Sequence, residues 1–132
     1  LNMSNKKSFS LEYDFHASRQ MLFQYLSTPS GLGEWFADNV NSRGEYFNFI
    51  WEDAEETAKL IQKKNNERVR FQWENDEEEG NEYYFEFKIQ VDDITNDVSL
   101  IITDFSDEDE LDESKMLWDN LISSLKQVLG SS

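Results

Sequence analysis

Cysteine is absent from this sequence, which excludes disulfides and thiolate chemistry. That usage suits a reducing, cytoplasmic setting. Histidine occurs once, as His16, so a Ser-His-Asp constellation has little to build on. Thr103, Asp104 and Ser106, near the last strand-like run, show no nucleophile signature. Long apolar runs are missing too. The longest lies near Val98–Ile102, far short of a membrane span, and "LNMSNKKSFS" lacks the apolar core of a signal peptide. Basic residues are scarce: 12 Lys and Arg stand against 28 Asp and Glu, for a net charge of -16 and a pI near 4.2. Such a chain repels phosphates, which argues against nucleic acid and anionic membrane surfaces as partners. The charge suits solubility and, as a partner, a basic protein.

Aromatic residues are plentiful. Ten Phe, five Tyr and four Trp are too many for a solvated coil. Most sit in alternating runs. "SFSLEYDF" places Phe9, Leu11, Tyr13 and Phe15 on one face, the period of a half-buried strand. "HASRQMLFQYL" changes to helical spacing, with Met21, Leu22, Tyr25 and Leu26 as its stripe and Ser18 or His16 near its start. Thr28 is then a fitting N-cap and Pro29 a fitting first helical residue for a second short helix. Leu32, Trp35 and Phe36 share one side of it.

From residue 37 the pattern is strands. "EYFNFIWE" alternates Phe47, Phe49 and Trp51 against polar neighbours. A more polar strand is expected over Thr57–Lys63. "ERVRFQWE" turns Val69, Phe71 and Trp73 one way, with Arg68 and Arg70 outward, placed to pair with Glu86 across strands. "NDEEEGNE" reads as a turn with Gly80 at positive φ. "EYYFEFKIQV" aligns Tyr83, Phe85, Phe87, Ile89 and Val91. The continuous run in "VSLIITDF" suggests a central strand. A long closing helix carries Leu117, Leu121, Leu125 and Val128, with Trp118, Ile122 and Leu129 alongside. Acids crowd its start, and Gly130 sits where a C-cap belongs.

No repeat or linker interrupts the chain, so residues 1–132 read as one domain, with 1–7 a disordered or partly foreign lead-in, since Leu1 and Asn2 precede Met3. Short connections demand antiparallel strands. The expected class is α+β: a curved antiparallel sheet of about six to seven strands around a long C-terminal helix, with two short helices after the first strand. Each strand has one apolar face, so the sheet is expected to be covered on one side only.

This element order resembles the START-like superfamily, also called helix-grip or SRPBCC. Within it, "LFQYLSTPSGLGEWFAD" resembles the signature of the branch named for activators of the large heat-shock chaperone's ATPase. The pattern aromatic-x-x-Leu-[Ser/Thr]-x-Pro-x-x-Leu-x-x-Trp-[Phe] falls on Phe23, Leu26, Ser27, Pro29, Leu32, Trp35 and Phe36. "LWDNLISSLKQVL" resembles the family's closing helix at Trp118, Leu121 and Leu125, although Leu117 stands where many members carry glycine. The resemblance implies that the two short helices plug one end of a groove, with Trp35 and Phe36 turned inward and Gly31 and Gly33 permitting a tight approach.

The groove itself would be lined by Phe47, Phe49 and Trp51 of one strand, Phe71 and Trp73 of the next, and Phe85 and Phe87 of a third. Trp35 and Phe36 would close one end, and Leu117, Trp118 and Leu121 would lie above. Apolar linings of this kind hold small molecules, but large aromatics also fill such a space to native density. The sequence leaves both open. Metal sites are poorly supported: "DFSDEDELDES" and "WENDEEEGNE" lack the glycine and the ligand order of a calcium loop. "GLG" at residues 31–33 does not follow a strand, as a phosphate loop requires. The expectation is a noncatalytic module without cofactor that binds a hydrophobic small molecule or lipid. The alternatives are a chaperone-related or regulatory protein-interaction module and, third, a cyclase-like enzyme, which a buried carboxylate or tyrosine in a polar pocket would favour.

Overall fold

The computed structural model describes residues 5–130. Of the expected lead-in, residues 1–4 lie outside the described range, and Lys7 already opens the first strand. The chain forms β1 (Lys7–Phe15), α1 (Arg19–Ser27), α2 (Pro29–Leu32), β2 (Asn39–Arg43), β3 (Tyr46–Trp51), β4 (Ala54–Lys64), β5 (Arg68–Trp73), α3 (Glu74–Glu79), β6 (Phe85–Val91), β7 (Val98–Ser106), a single 3-10 turn at Glu108–Glu110 and α4 (Leu111–Leu129). The seven strands make one antiparallel sheet in the order β1-β7-β6-β5-β4-β3-β2. The fold is the expected α+β arrangement, a curved sheet with a long closing helix.

Local chemistry sets the element ends. Ser18 Oγ accepts from the Met21 N–H and caps α1, and Thr28 Oγ1 accepts from the Gly31 N–H and caps α2, with Pro29 in its first turn. Gly130 adopts φ 69°, the left-handed conformation that closes α4. Asn66 and Asn96, at the β4–β5 and β6–β7 turns, also take positive φ, which asparagine tolerates better than most residues.

Period-two alternation builds the core. Phe47 and Phe49 from β3, Val69 and Phe71 from β5, Phe85, Phe87 and Ile89 from β6, and Leu100 and Ile102 from β7 are all buried on one face. The helix α4 lays Trp118, Ile122 and Leu125 over them, with Leu121 and Leu129 half-buried beside them. Leu117 and Val128, counted in the stripe from spacing alone, stay largely exposed, at 59% and 40%, Leu117 at the edge of the contact face. The contact face of α4 is centred on Trp118, about one helical position away from the stripe the leucines imply. Polar contacts pin this helix as well. The Tyr13 hydroxyl donates to Asp119 Oδ1 at 2.7 Å, and Ser114 Oγ donates to Ser106 Oγ at 3.2 Å. Burial and the Asp119 carboxylate both push the Tyr13 phenol above its usual range.

Three details differ from the reading of the sequence. The acidic stretch after β5 is not a bare turn: Glu74–Glu79 coils into α3, and Gly80, at φ 75°, ends it. Glutamates are good helix formers, and Glu74, Asp76 and Glu77 sit in the first turn, where the dipole favours them. This helix rests on the outer face of the sheet, where Glu77 meets Lys59 Nζ at 3.6 Å and accepts from the Tyr46 hydroxyl at 3.3 Å. The outer face is therefore partly covered. The polar fourth strand runs from Ala54 to Lys64, longer than expected, with a register shift between Leu60 and Gln62. The apolar β7 is interior but second from the edge, between β1 and β6.

Arg70 and Glu86, cross-strand partners in β5 and β6, form the expected pair, with two guanidinium nitrogens on one carboxylate oxygen at 2.9 Å. The guanidinium also stacks 3.9 Å from the Tyr84 ring centroid. Arg68 faces Lys88 across the strands and donates to Gln62 instead. Glu86 is only 7% exposed. Removal of Arg70 strands a nearly buried carboxylate, so Arg70→Ala should cost about 2 kcal/mol, below the 3–5 expected for a fully buried pair because Arg70 itself is partly solvated. Urea denaturation of Arg70→Ala beside the double variant Arg70→Leu, Glu86→Leu checks this: the double variant should recover most of the loss.

Candidate functional site

The Trp-Phe pair after α2 organises one end of the interior. Gly31 lets α2 fold directly onto α1: a Cβ there would strike the Gln24 carbonyl oxygen and lie 2.6 Å from Tyr25 Cα. This close turn aims Trp35 and Phe36 under the sheet, where they are 6% and 5% exposed. The Trp35 indole N–H donates to the Tyr25 carbonyl at 2.8 Å, which locks the turn to α1. The Phe36 carbonyl accepts from the Trp51 indole at 3.1 Å, which ties the turn to the end of β3. The Phe36 ring lies 5.0 Å from Phe49, 5.7 Å from Phe85 and 6.0 Å from Trp118, centroid to centroid.

The large rings do not fill the space completely. Between α4 and the ends of β3, β5 and β6 remains a cavity of about 280 Å³. Trp51, Trp73, Phe85 and Phe36 line it from the sheet and the turn, and Leu117, Trp118 and Leu121 from α4. Two carboxylates, Glu56 and Asp104, complete the wall, and no basic side chain lines it. Two other hollows are larger. They open at the surface and are lined mainly by charged and polar groups, such as Lys6, Lys7 and Asp107 through Glu110.

Asp104 holds a core-facing position in β7, two residues beyond the buried Ile102. Its Oδ2 accepts from the Trp118 indole at 2.9 Å, and its Oδ1 from the Phe105 backbone N–H at 2.7 Å. Withdrawal from water pushes its pKa up; the two donated hydrogen bonds and the more distant Lys6 pull against that, and Asp76 adds to it. Among the described residues no Lys, Arg or His lies within ion-pair distance of it. Glu56, opposite Phe49 in the β3–β4 register, is exposed and stands at the rim.

The twelve aromatic and leucine residues expected to line the groove thus divide. Trp51, Trp73 and Phe85 in the sheet, with Phe36, Leu117, Trp118 and Leu121, border the cavity. Trp35, Phe47, Phe49, Phe71 and Phe87 pack in the core beside it, each 6% exposed or less. Spacing did not single out the two carboxylates. A signal for Asp104 existed, because an acid in the inward row of an otherwise apolar strand has a reason to be there. Glu56 carried none, since the polar β4 marks its inward row only with Ala58 and Leu60. His16 is exposed between β1 and α1. Among the described residues no group of three or more His, Asp or Glu is placed to hold a metal ion, and no helix is long and apolar enough to cross a membrane.

A sheet gripping a helix over an apolar cavity defines a class, and the sequence matches that class directly: the START-like superfamily domain over residues 3–131. The chain belongs to the START-like superfamily. A Bacteroides fragilis protein solved by solution NMR is 38% identical, with 94% of this chain and 91% of that one covered and a TM-score of 0.67. The Aha1 dimer from Colwellia psychrerythraea shares the fold at 19% identity and a TM-score of 0.78, over 93% of this chain and 96% of that one. CalU16 from Micromonospora echinospora does so at 14% identity and a TM-score of 0.70, over 94% and 74%. No curated protein matches the chain.

Proposed function

We propose that this domain binds a small, largely apolar molecule in the cavity beneath α4, and that it does so without catalysing a reaction. The observation that carries the reading is the unfilled space itself. Phe36, Trp51, Trp73 and Trp118, with the exposed Glu56 and Leu117 at the rim, leave between them a partly open recess of about 280 Å³. That lies just under the ~300–1,000 Å³ of sites for drug-sized ligands, so it suits a molecule of one or two rings or a short acyl chain rather than a two-chain lipid. Asp104 is the group a cyclase-like enzyme would use as an acid or base. Its wall is apolar, however, and offers no second positioned acid-base group apart from Glu56 at the rim.

The test uses tert-butylbenzene as a neutral one-ring probe and follows the Trp118 indole N–H resonance. Saturable movement of that resonance is expected, and Leu121→Trp, which fills the cavity from α4, should abolish it while the remaining spectrum stays dispersed. A Trp118 signal indifferent to the probe, or a shift that Leu121→Trp leaves untouched, contradicts the reading.

A further inference from the structure

We infer that the molecule held in this cavity is a hydrophobic cation, an organic ammonium whose charged head sits among the tryptophans and beside Asp104. The inference rests on the cavity reading and adds the ligand's charge to it. Its basis is the composition of the wall. Trp51, Trp73 and Trp118 surround a space that also holds two carboxylates and no compensating base. Tryptophan faces are the most favourable of the aromatic partners for a cation, and the attraction grows when water is excluded.

The carboxylate at the site is half satisfied. An ionised carboxylate offers about four lone-pair positions. Asp104 uses one on each oxygen, for the Trp118 indole and the Phe105 backbone. Half-buried, and without a basic side chain at ion-pair distance among the described residues, it keeps acceptor capacity for a further partner. A neutral apolar occupant would leave it more desolvated still. An anionic occupant would face Asp104 and Glu56 together. An ammonium answers both problems, and the chain's net charge of -16 draws cations towards it.

The direction of pH dependence follows. A bound cation favours the ionised Asp104, so its carboxyl pKa is lower in the complex than in the free protein, where burial holds it up. Affinity for the cation should therefore rise as pH rises through the free-state pKa of Asp104 and then level off. Other charges near the group are Glu56 on the cavity wall, Lys6 before β1, Asp76 on α3 and the backbone donor of Phe105. Lys6 and Asp76 act on Asp104 in opposite senses.

The experiment compares phenyltrimethylammonium with its carbon isostere tert-butylbenzene on the intact protein, with the Trp118 indole N–H resonance as the readout. The cation is expected to bind at least tenfold more tightly at neutral pH. Asp104→Asn, which keeps an acceptor for Trp118, should remove most of that preference, so that the two probes bind with similar affinity. Glu56→Gln, at the exposed rim, should reduce it less, and it serves as the second variant should Asp104→Asn not fold. Equal or tighter binding of tert-butylbenzene to the unmodified protein overturns the inference and leaves the apolar cavity standing. Binding of neither probe overturns both.

Discussion

Phe36→Ala should lower the stability of the folded chain by about 3–5 kcal/mol, the range for deleting a buried aromatic ring. Phe36 is 5% exposed and its ring touches aromatic neighbours on every side: Trp35, Phe49 and Phe85 within 5.7 Å, and Trp118, Trp51 and Phe87 within 6.3 Å. Several of these pairs are edge-on or stacked, each adding about 0.5–1.5 kcal/mol beyond burial. The ring is also a shared wall between the core and the cavity, so its loss should enlarge the space below α4. Two effects are therefore expected together: a lower urea midpoint, and acceptance of a two-ring probe such as naphthalene more readily than in the parent. Phe36→Leu should retain over half of the stability. A loss under about 1 kcal/mol for the alanine variant would mean that the turn after α2 is not a structural plug.

Gly31→Ala is the second large effect, and it comes from a single methyl group. The obstacles are the Gln24 carbonyl oxygen and Tyr25 Cα, both backbone, together with Thr28 Oγ1 at 2.8 Å, the atom that caps α2. Backbone cannot swing aside as a side chain can. The cost should reach or exceed the upper end of the ~1–3 kcal/mol typical of overpacking. Gly33→Ala is the internal control. Its nearest neighbour would be the Pro29 carbonyl at 3.2 Å, and its φ of -69° suits any residue. It should cost under ~1 kcal/mol. Comparable thermal midpoints for the two alanine variants would show that α2 can lift from α1, and that Trp35 and Phe36 are not held by this contact.

Much of the fold was legible because it depends on period. Phe47 and Phe49, Val69 and Phe71, and Phe85 and Phe87 alternate without ambiguity, and each of them is buried. Thr28 and Pro29 announced α2 by cap chemistry, and Gly80 and Gly130 both adopt the left-handed conformation expected of them. Failures arose where tertiary contact decides. Leu117 and Trp118 are adjacent, and only the sheet's shape determines that Trp118 is buried while Leu117 sits at the cavity's edge. The acids of residues 74–79 carry no apolar stripe, so nothing in their pattern foretold α3 or its place on the outer face.

The cavity belongs to a different order of difficulty. Trp35, beside Phe36, and Trp73, two residues from Phe71, both read as inward-facing, yet Trp35 is core and Trp73 is wall. The difference is where the rings stop interlocking, a matter of a few ångströms that no spacing encodes. Asp104 is the exception. An acid placed where the sheet faces inward must find donors or shift its pKa, and here it does both, through Trp118, Phe105 and a raised carboxyl pKa.

Native mass spectrometry of the protein purified from its source organism, joined to extraction of what it carries, tests the central claim most directly. The account predicts a reproducible adduct of small-molecule mass. The extract, returned to stripped protein, should move the Trp118 indole N–H resonance, and Leu121→Trp should fail to retain the adduct. Protein that shows only its own mass, with a Trp118 resonance that responds neither to the extract nor to small apolar probes, would contradict a binding cavity and leave α4 as the lid of an ordinary core.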